Sequence, residues 1–309
     1  MNTPAIQTHS LTKVFTGIRG ATRAVDGLSI SVPEGSIYGL LGRNSAGKTT
    51  TIRMLMGLAR PTSGSSRIFG LDPMRERERV AMLSMVGYVP EDKTLLGLTA
   101  RKLFELNRCF YPETWSDDLA RKAVERLELP IDTPFLKLSM GNKTKSALIT
   151  AIAQRSRLLI LDEPTTGLDP LALDALLRLL VEDCTADGRT IFVSSHQLAE
   201  IEQISDHIGI LDRGSLLLED RLDLVLSSFR RVTATGTALP TTGPAILSAR
   251  SEGNTTQYVL RSDPAGFVAA LVRNGATVPD SAPLSLNEIF LELCRGEKIE
   301  EPTFGEVRA

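Results

Sequence analysis

Residues 42–49 read Gly-Arg-Asn-Ser-Ala-Gly-Lys-Thr, a G-x-x-x-x-G-K-[ST] run placed directly after an apolar stretch and directly before a helical pattern. In that order the backbone N–H groups of a tight loop converge on phosphate oxygens, and the N-terminus of the following helix adds a positive field. Lys48 supplies a point charge for the outer phosphates, and the Thr49 hydroxyl is placed to ligate Mg²⁺. A second run, Leu158-Leu-Ile-Leu-Asp162-Glu163, is an apolar strand that ends in two acids. It delivers carboxylates to the C-terminal edge of a sheet, where α/β proteins bind ligands. Asp162 suits the Mg²⁺ shell, and Glu163 suits orienting or deprotonating an attacking water. An Asp-Glu strand end is a weak signal alone. Beside the phosphate loop it points to hydrolysis of a phosphoanhydride.

These residues need a scaffold. Apolar runs at 35–42, 85–90, 157–162 and 189–195 predict buried parallel strands, with helices over 48–58 and 170–184 between them. The segment of about 92–155 reads differently, as three helices over 99–109, 117–127 and 139–155. The expectation is an α/β domain over residues 1–220 with an all-helical insert. Composition shifts after about residue 220. Short apolar stretches flank a turn at Glu252-Gly253-Asn254, Asp263-Pro264 can open a helix, and Ser285-Leu-Asn-Glu288 has capping-box spacing. Residues 221–309 are therefore a small second α/β domain, with Leu286, Ile289, Phe290 and Leu293 on one buried helix face.

The chain has 309 residues, and 35 Lys+Arg against 37 Asp+Glu leave a net charge of −2, so no nucleic-acid partner is implied. No apolar run reaches the roughly 18 residues of a spanning helix, and the N-terminus has no export signal. Cys109, Cys184 and Cys294 lie far apart and read as buried structural thiols in a reducing compartment. The alternating charges of residues 75–79 read as a solvated helix face, and His9 and His207 as structural.

Further segments carry a family resemblance. Leu138-Ser139-Met140-Gly141-Asn142 is similar to the signature sequence of ABC transporter ATP-binding subunits. Pro164-Thr-Thr-Gly167-Leu168-Asp169 resembles that family's D-loop, Ser194-Ser195-His196 its switch histidine, and 86–91 the strand that leads into its Q-loop. The resemblance covers about residues 5–220. It implies a P-loop NTPase fold of the ABC type with a helical subdomain, ATP and Mg²⁺ as ligands, and catalysis by Glu163, His196 and Glu91. It implies nucleotide contacts from Gly42, Arg43, Asn44, Ser45, Ala46, Gly47, Lys48, Thr49 and Thr50, and an adenine stack on Phe15. Ser139, Gly141, Asn142 and Asp169 would serve nucleotide held by an opposite subunit, and Thr49, Asp162 and Glu91 would hold the metal.

The chain departs from the family pattern at four places. Ser45 and Met140 replace glycines, Asn142 replaces Gln, and Glu91 stands where many members have Gln. Glu91, Asn142-Lys-Thr-Lys145 and the C-terminal extension resemble ABC-2-type exporter ATPases, the YtrB-like members most of all. That likeness implies a separate ABC-2-type membrane permease, a dimer with a second copy or a related ATPase, and a cytoplasmic place at the inner face of the membrane. A soluble ABC-type ATPase with a non-transport target, and a low-activity nucleotide-binding scaffold, are the alternatives. For residues 221–309 the resemblance leaves open a dimerisation module, a regulatory element and a packing lid.

Overall fold

Continuous apolar runs need cover on both faces, and the chain provides it. In the computed structural model, which describes residues 3–17, 20–92, 98–184, 187–237, 239–261 and 264–296, two compact units divide at Glu219/Asp220.

The first unit contains, in chain order, β1 (Ile6–Gly17), β2 (Gly20–Leu28), β3 (Ser31–Val32), β4 (Ile37–Gly42), α1 (Lys48–Leu55), β5 (Ser63–Ile68), α2 (Glu76–Leu83) and β6 (Val86–Val89). Then come α3 (Ala100–Phe110), α4 (Asp117–Leu127), α5 (Met140–Ala153), β7 (Leu158–Asp162), α6 (Pro170–Leu179), β8 (Thr190–Ser195), α7 (Leu198–Glu202), β9 (His207–Asp212) and β10 (Ser215–Arg221). A six-stranded sheet runs β10-β9-β4-β8-β7-β6, parallel from β9 to β6. Every residue of β4, β7 and β8 is buried, and Tyr38 stacks on Phe192 with ring centroids 5.5 Å apart. The register pairs Leu41 with Ser195 and Asp162 with Ser194. The carboxyl ends of β4, β7 and β8 therefore meet at one edge.

Gly39, at the middle of β4, has no room for a side chain. An added Cβ would lie 2.3 Å from Ile201 Cγ2 on α7 and 3.0 Å from Ser205 Oγ. α7 thus rests on bare strand backbone.

A second, antiparallel sheet, β2-β1-β3 with β5 also on β1, belongs to the same unit. Its strands were not among those read from apolar runs. Bulges near Leu11–Val14 break the alternation that would have marked them. In the insert, α3, α4 and α5 are each N-capped by a hydroxyl, Thr99, Ser116 and Ser139 accepting from the N–H groups of Lys102, Leu119 and Asn142.

Three expectations need correction. The helix over 48–58 stops at Leu55, because Gly57 turns to φ 69° where a Cβ would meet Pro73 O at 2.6 Å. The helix over 170–184 is α-helical only to Leu179 and winds more widely over Leu180–Cys184. Nor are the cysteines uniformly buried. Cys109 is exposed on α3, where only Ala100 is buried, and Cys294 is half-buried. The side chain of Cys184 lies outside the described residues.

The second unit contains α8 (Leu222–Ser228), β11 (Phe229–Thr235), β12 (Ile246–Glu252), β13 (Thr255–Arg261), α9 (Pro264–Arg273), β14 (Thr277–Pro283) and α10 (Leu286–Gly296). Its sheet is antiparallel, in the order β12-β13-β11-β14. Val232, Ala234, Tyr258 and Leu260 face α9, with Tyr258 and Phe267 edge to face at 5.1 Å. The opposite face meets α10. Arg231 pairs with Glu288, while Ser248 and Arg250 bond Glu292 at 2.8 and 2.9 Å. Leu286, Ile289, Phe290 and Leu293 are all buried within the single chain. The Glu252-Gly253-Asn254 turn joins β12 to β13, and Ser285 and Glu288 form a reciprocal capping box.

Candidate functional site

The loop between β4 and α1 is shaped by close backbone approaches. A Cβ at Gly42 would lie 2.5 Å from Leu211 O, and one at Gly47 would lie 2.4 Å from Ala24 O, with Gly47 at φ 109°. Only glycine fits both positions. Ser45 also adopts a left-handed φ of 68°, which costs a residue with a Cβ about 1–2 kcal/mol. No side chain caps the start of α1, which leaves its first N–H groups without a side-chain acceptor, as an anion site at a helix N-terminus requires.

A cleft of about 890 Å³ opens here. It is lined by Asn44 to Thr50 from the loop and by Glu91, Glu163, Thr166 and His196 from the neighbouring strand ends. Thr22 and Arg23 on the β1–β2 hairpin and Arg213 after β9 close its remaining sides. Gly42 and Arg43 form the loop's first residues and meet the lysine through their carbonyls. Lys48 is 5 % exposed, and its Nζ donates to Gly42 O at 2.7 Å and Arg43 O at 3.2 Å. It also lies 3.1 Å from Glu163 Oε1.

Glu163 is the hub. Its other oxygen, Oε2, is 2.7 Å from His196 Nδ1. Its backbone is at φ 47°, a strained conformation for a side-chain-bearing residue. Asp162, wholly buried beside it, accepts from Ser194 Oγ at 2.6 Å through Oδ1. Thr49 Oγ1 lies 3.2 Å from both Asp162 Oδ1 and Glu91 Oε2, and its one proton serves one of them at a time. Asp162 Oδ2 is buried and has no hydrogen-bond partner. Burial pushes the Asp162 carboxyl up; the Ser194 and Thr49 hydroxyls pull it down, and Glu91 and Glu163 repel it. The Tyr88 phenol, close to Asp162, is pushed up to about 12, chiefly by burial.

An unpartnered buried carboxylate oxygen beside a hydroxyl and a second carboxylate is an all-oxygen donor set, which suits a hard divalent cation. Among the described residues no group of three or more His, Cys, Asp and Glu side chains could hold a metal alone. Phosphate oxygens and water would have to complete the shell, as Mg²⁺ prefers.

The structure gathers some of the residues singled out from sequence and separates others. Thr49, Glu91, Asp162, Glu163 and His196 converge with the phosphate loop. Phe15 is 49 % exposed on β1, directly across from cleft-lining Thr22, with Lys13 Nζ 5.0 Å above its ring. Ser139, Gly141 and Asn142 do not line the cleft. They open α5, where a Cβ on Gly141 would lie 2.5 Å from Gly167 O and Thr144 Oγ1 donates to Thr166 O at 3.2 Å. Asp169 also lies outside the cleft and caps α6, accepting from Ala172 N–H at 2.9 Å, which lowers its carboxyl.

Sequence reasoning missed Ser194, Thr22, Arg23, Arg213 and Thr166. Ser194 had a readable signal, a hydroxyl at the end of an apolar strand two residues before His196. Glu200 was missed too. It is buried one turn after His196, with Oε2 unpartnered and its carboxyl pushed up by burial.

Comparison with known proteins bears on this geometry. A family model described as ABC transporter matches residues 25–166. The bacitracin transport ATP-binding protein BcrA of Bacillus licheniformis is 40% identical over 221 residues, 71% of this chain and 70% of that protein. The daunorubicin/doxorubicin resistance ATP-binding protein DrrA of Streptomyces peucetius is 36% identical over 228 residues, 70% of this chain and 65% of that one. The solved ATP-binding subunit of an ABC transporter superposes with a TM-score of 0.63 at 27% identity, over 72% of this chain and 92% of that one. A bacterial ABC transporter cassette solved as a dimer shares the fold with a TM-score of 0.64 at 23% identity, over 70% of this chain and 98% of that chain.

Proposed function

The chain belongs to the ABC transporter family of ATP-binding proteins, and from that premise we propose that it hydrolyses Mg-ATP to drive export through a separate permease. The observation that carries this reading is the joining of Lys48, Glu163 and His196 in one contact chain at the strand ends, with Thr49 and Asp162 beside it. In this reading the loop N–H groups and Lys48 hold the β- and γ-phosphates, and Phe15 stacks on the adenine. Glu163 orients the attacking water and takes its proton as the γ-phosphorus–oxygen bond to ADP breaks. His196 Nδ1–H, donated to Glu163, holds that carboxylate and the ring in fixed relation. Thr49, Asp162 and Glu91 would hold Mg²⁺, which supplies charge neutralisation at the phosphates when bound. Glu91 adds a negative charge where an amide would be neutral, which strengthens the demand for a cation at that position.

The absence of Ser139, Gly141 and Asn142 from the cleft lining supports a site completed by a second copy, whose α5 start and Asp169 segment would cover the γ-phosphate. Exporter assignment follows the similarity to BcrA and DrrA, whose names specify bacitracin transport and daunorubicin/doxorubicin resistance. Among the described residues no helix is long and apolar enough to cross a membrane. We infer attachment at the inner face of the membrane through an ABC-2-type permease. A second cavity of about 710 Å³, lined by Met56, Leu83, Tyr88, Leu103, Tyr111 and Ala151 among others, lies between the core sheet and the insert and would receive it. For the second unit we infer added contact between copies. That contact does not use the apolar face of α10, which is already buried.

The test is size-exclusion chromatography of the Glu163→Gln chain with and without Mg-ATP. A shift from monomer to dimer on adding Mg-ATP is expected. No shift, with nucleotide bound, withdraws the shared site between identical copies.

A further inference from the structure

Two acids at the end of β7 carry opposite demands. Asp162 must keep one oxygen available, while Glu163 must hold a left-handed backbone. One side chain on the neighbouring strand meets both. Ser194 is wholly buried and stands directly opposite Asp162 in the β7–β8 register. Its hydroxyl donates to Asp162 Oδ1 at 2.6 Å. Ser194 Oγ in turn accepts from the Glu163 N–H at 3.1 Å, and Ser194 O lies 3.2 Å from the same nitrogen. The Glu163 amide is therefore shared between two acceptors of one residue, at the position where φ is 47°.

The geometry points to Ser194 as a positioning residue that holds the Asp162 carboxylate in one orientation toward a divalent cation, while pinning the strained Glu163 backbone. The assignment rests on the nucleotide-hydrolysing reading above. Donation by Ser194 commits Oδ1, and Thr49 approaches that same oxygen at 3.2 Å. Oδ2 is the buried oxygen without a partner. Without the hydroxyl, the carboxylate can rotate and exchange its two oxygens, and a cation then binds a mixture of poses. Ser195, the next residue, faces away from this task. Its Oγ accepts from Gln197 N–H at 2.9 Å.

The experiment uses the full chain and Mn²⁺ as the probe. Mn²⁺ affinity of the protein loaded with a non-hydrolysable ATP analogue is measured by electron paramagnetic resonance. Affinity for a fluorescent ATP analogue in EDTA is measured beside it. Ser194→Ala is expected to weaken Mn²⁺ binding roughly 3- to 10-fold and to lower kcat about 10-fold or more, with metal-free nucleotide affinity and KM within about threefold. Ser194→Cys keeps the volume with a poorer donor and is expected to fall between Ala and wild type. It carries the test if the Ala chain does not fold. Ser195→Ala is expected to leave Mn²⁺ affinity within twofold. Mn²⁺ affinity unchanged in whichever Ser194 variant folds, or a metal-free nucleotide affinity that falls in parallel, overturns the inference. A wild-type chain that binds no nucleotide overturns the proposed function and this inference together. A change in the ratio of variant to wild type speaks to Ser194 alone.

Discussion

The two units differ in how many polar groups they leave unpartnered. In the second, Glu292 is closed by Ser248, Arg250 and Arg295, and Glu288 by Arg231 and Ser285. In the first, Asp162 Oδ2 and Glu200 Oε2 are buried without partners, and in the second the Tyr258 hydroxyl is the one such atom among the described residues. Backbone strain follows the same division. Among the described residues all seven non-glycine residues at positive φ, Ser45 and Glu163 among them, lie in the first unit. An unmet hydrogen bond or a left-handed φ costs about 1–3 kcal/mol, and a fold keeps such a feature where chemistry uses it. The contrast places most of the unmet polarity and all of the described non-glycine left-handed residues in the unit that carries the candidate site.

Substitutions can break or sharpen this contrast. The largest effect should come from Glu163→Gln, with kcat falling about 10²- to 10³-fold in a steady-state ATPase assay while nucleotide affinity holds. Next is Leu286→Ala, which opens a cavity at a fully buried position of α10 and should destabilise the second unit by about 2–4 kcal/mol in a urea titration. It should leave nucleotide affinity unchanged; a loss of affinity would end the separation of roles. Ser45→Gly should do the reverse, raising stability by about 0.5–1 kcal/mol through relief of the φ of 68°.

The smallest effect concerns pH. Arg231, and then Ser285, hold the Glu288 carboxyl down at about 2. A depressed carboxyl favours the folded state when ionised. Its contribution is whole above the ordinary glutamate value of about 4.3 and fades as pH falls toward 2. The pair is over a third exposed on the Glu288 side, so the contribution is a few tenths to about 1 kcal/mol. Glu288→Gln should lower the urea midpoint at pH 7 and converge on wild type only as pH falls to about 2.

Much of the site was legible because its chemistry is contiguous. A phosphate cradle must be one loop, so residues 42–49 announced it, and a strand that delivers carboxylates must end in them, as 158–163 do. The capping box at Ser285–Glu288 and the turn at Gly253 were local in the same sense. What failed to show was assembled through space. Thr22 and Arg213 reach the cleft only because β1–β2 and the turn after β9 fold beside it. The antiparallel sheet hid behind bulges, and Cys109 looked like a core thiol until α3 proved to be almost all surface. Ser194 sits in a motif whose most distinctive side chain is His196, and its partners Asp162 and Glu163 lie on another strand.

Gly39 has a mechanical consequence. Because β4 presents bare backbone to Ile201, the spacing between α7 and the sheet is set by a hard stop, without the give that a longer side chain would provide. His196 stands two residues ahead of α7, so a side chain added at Gly39 would displace the helix that follows it.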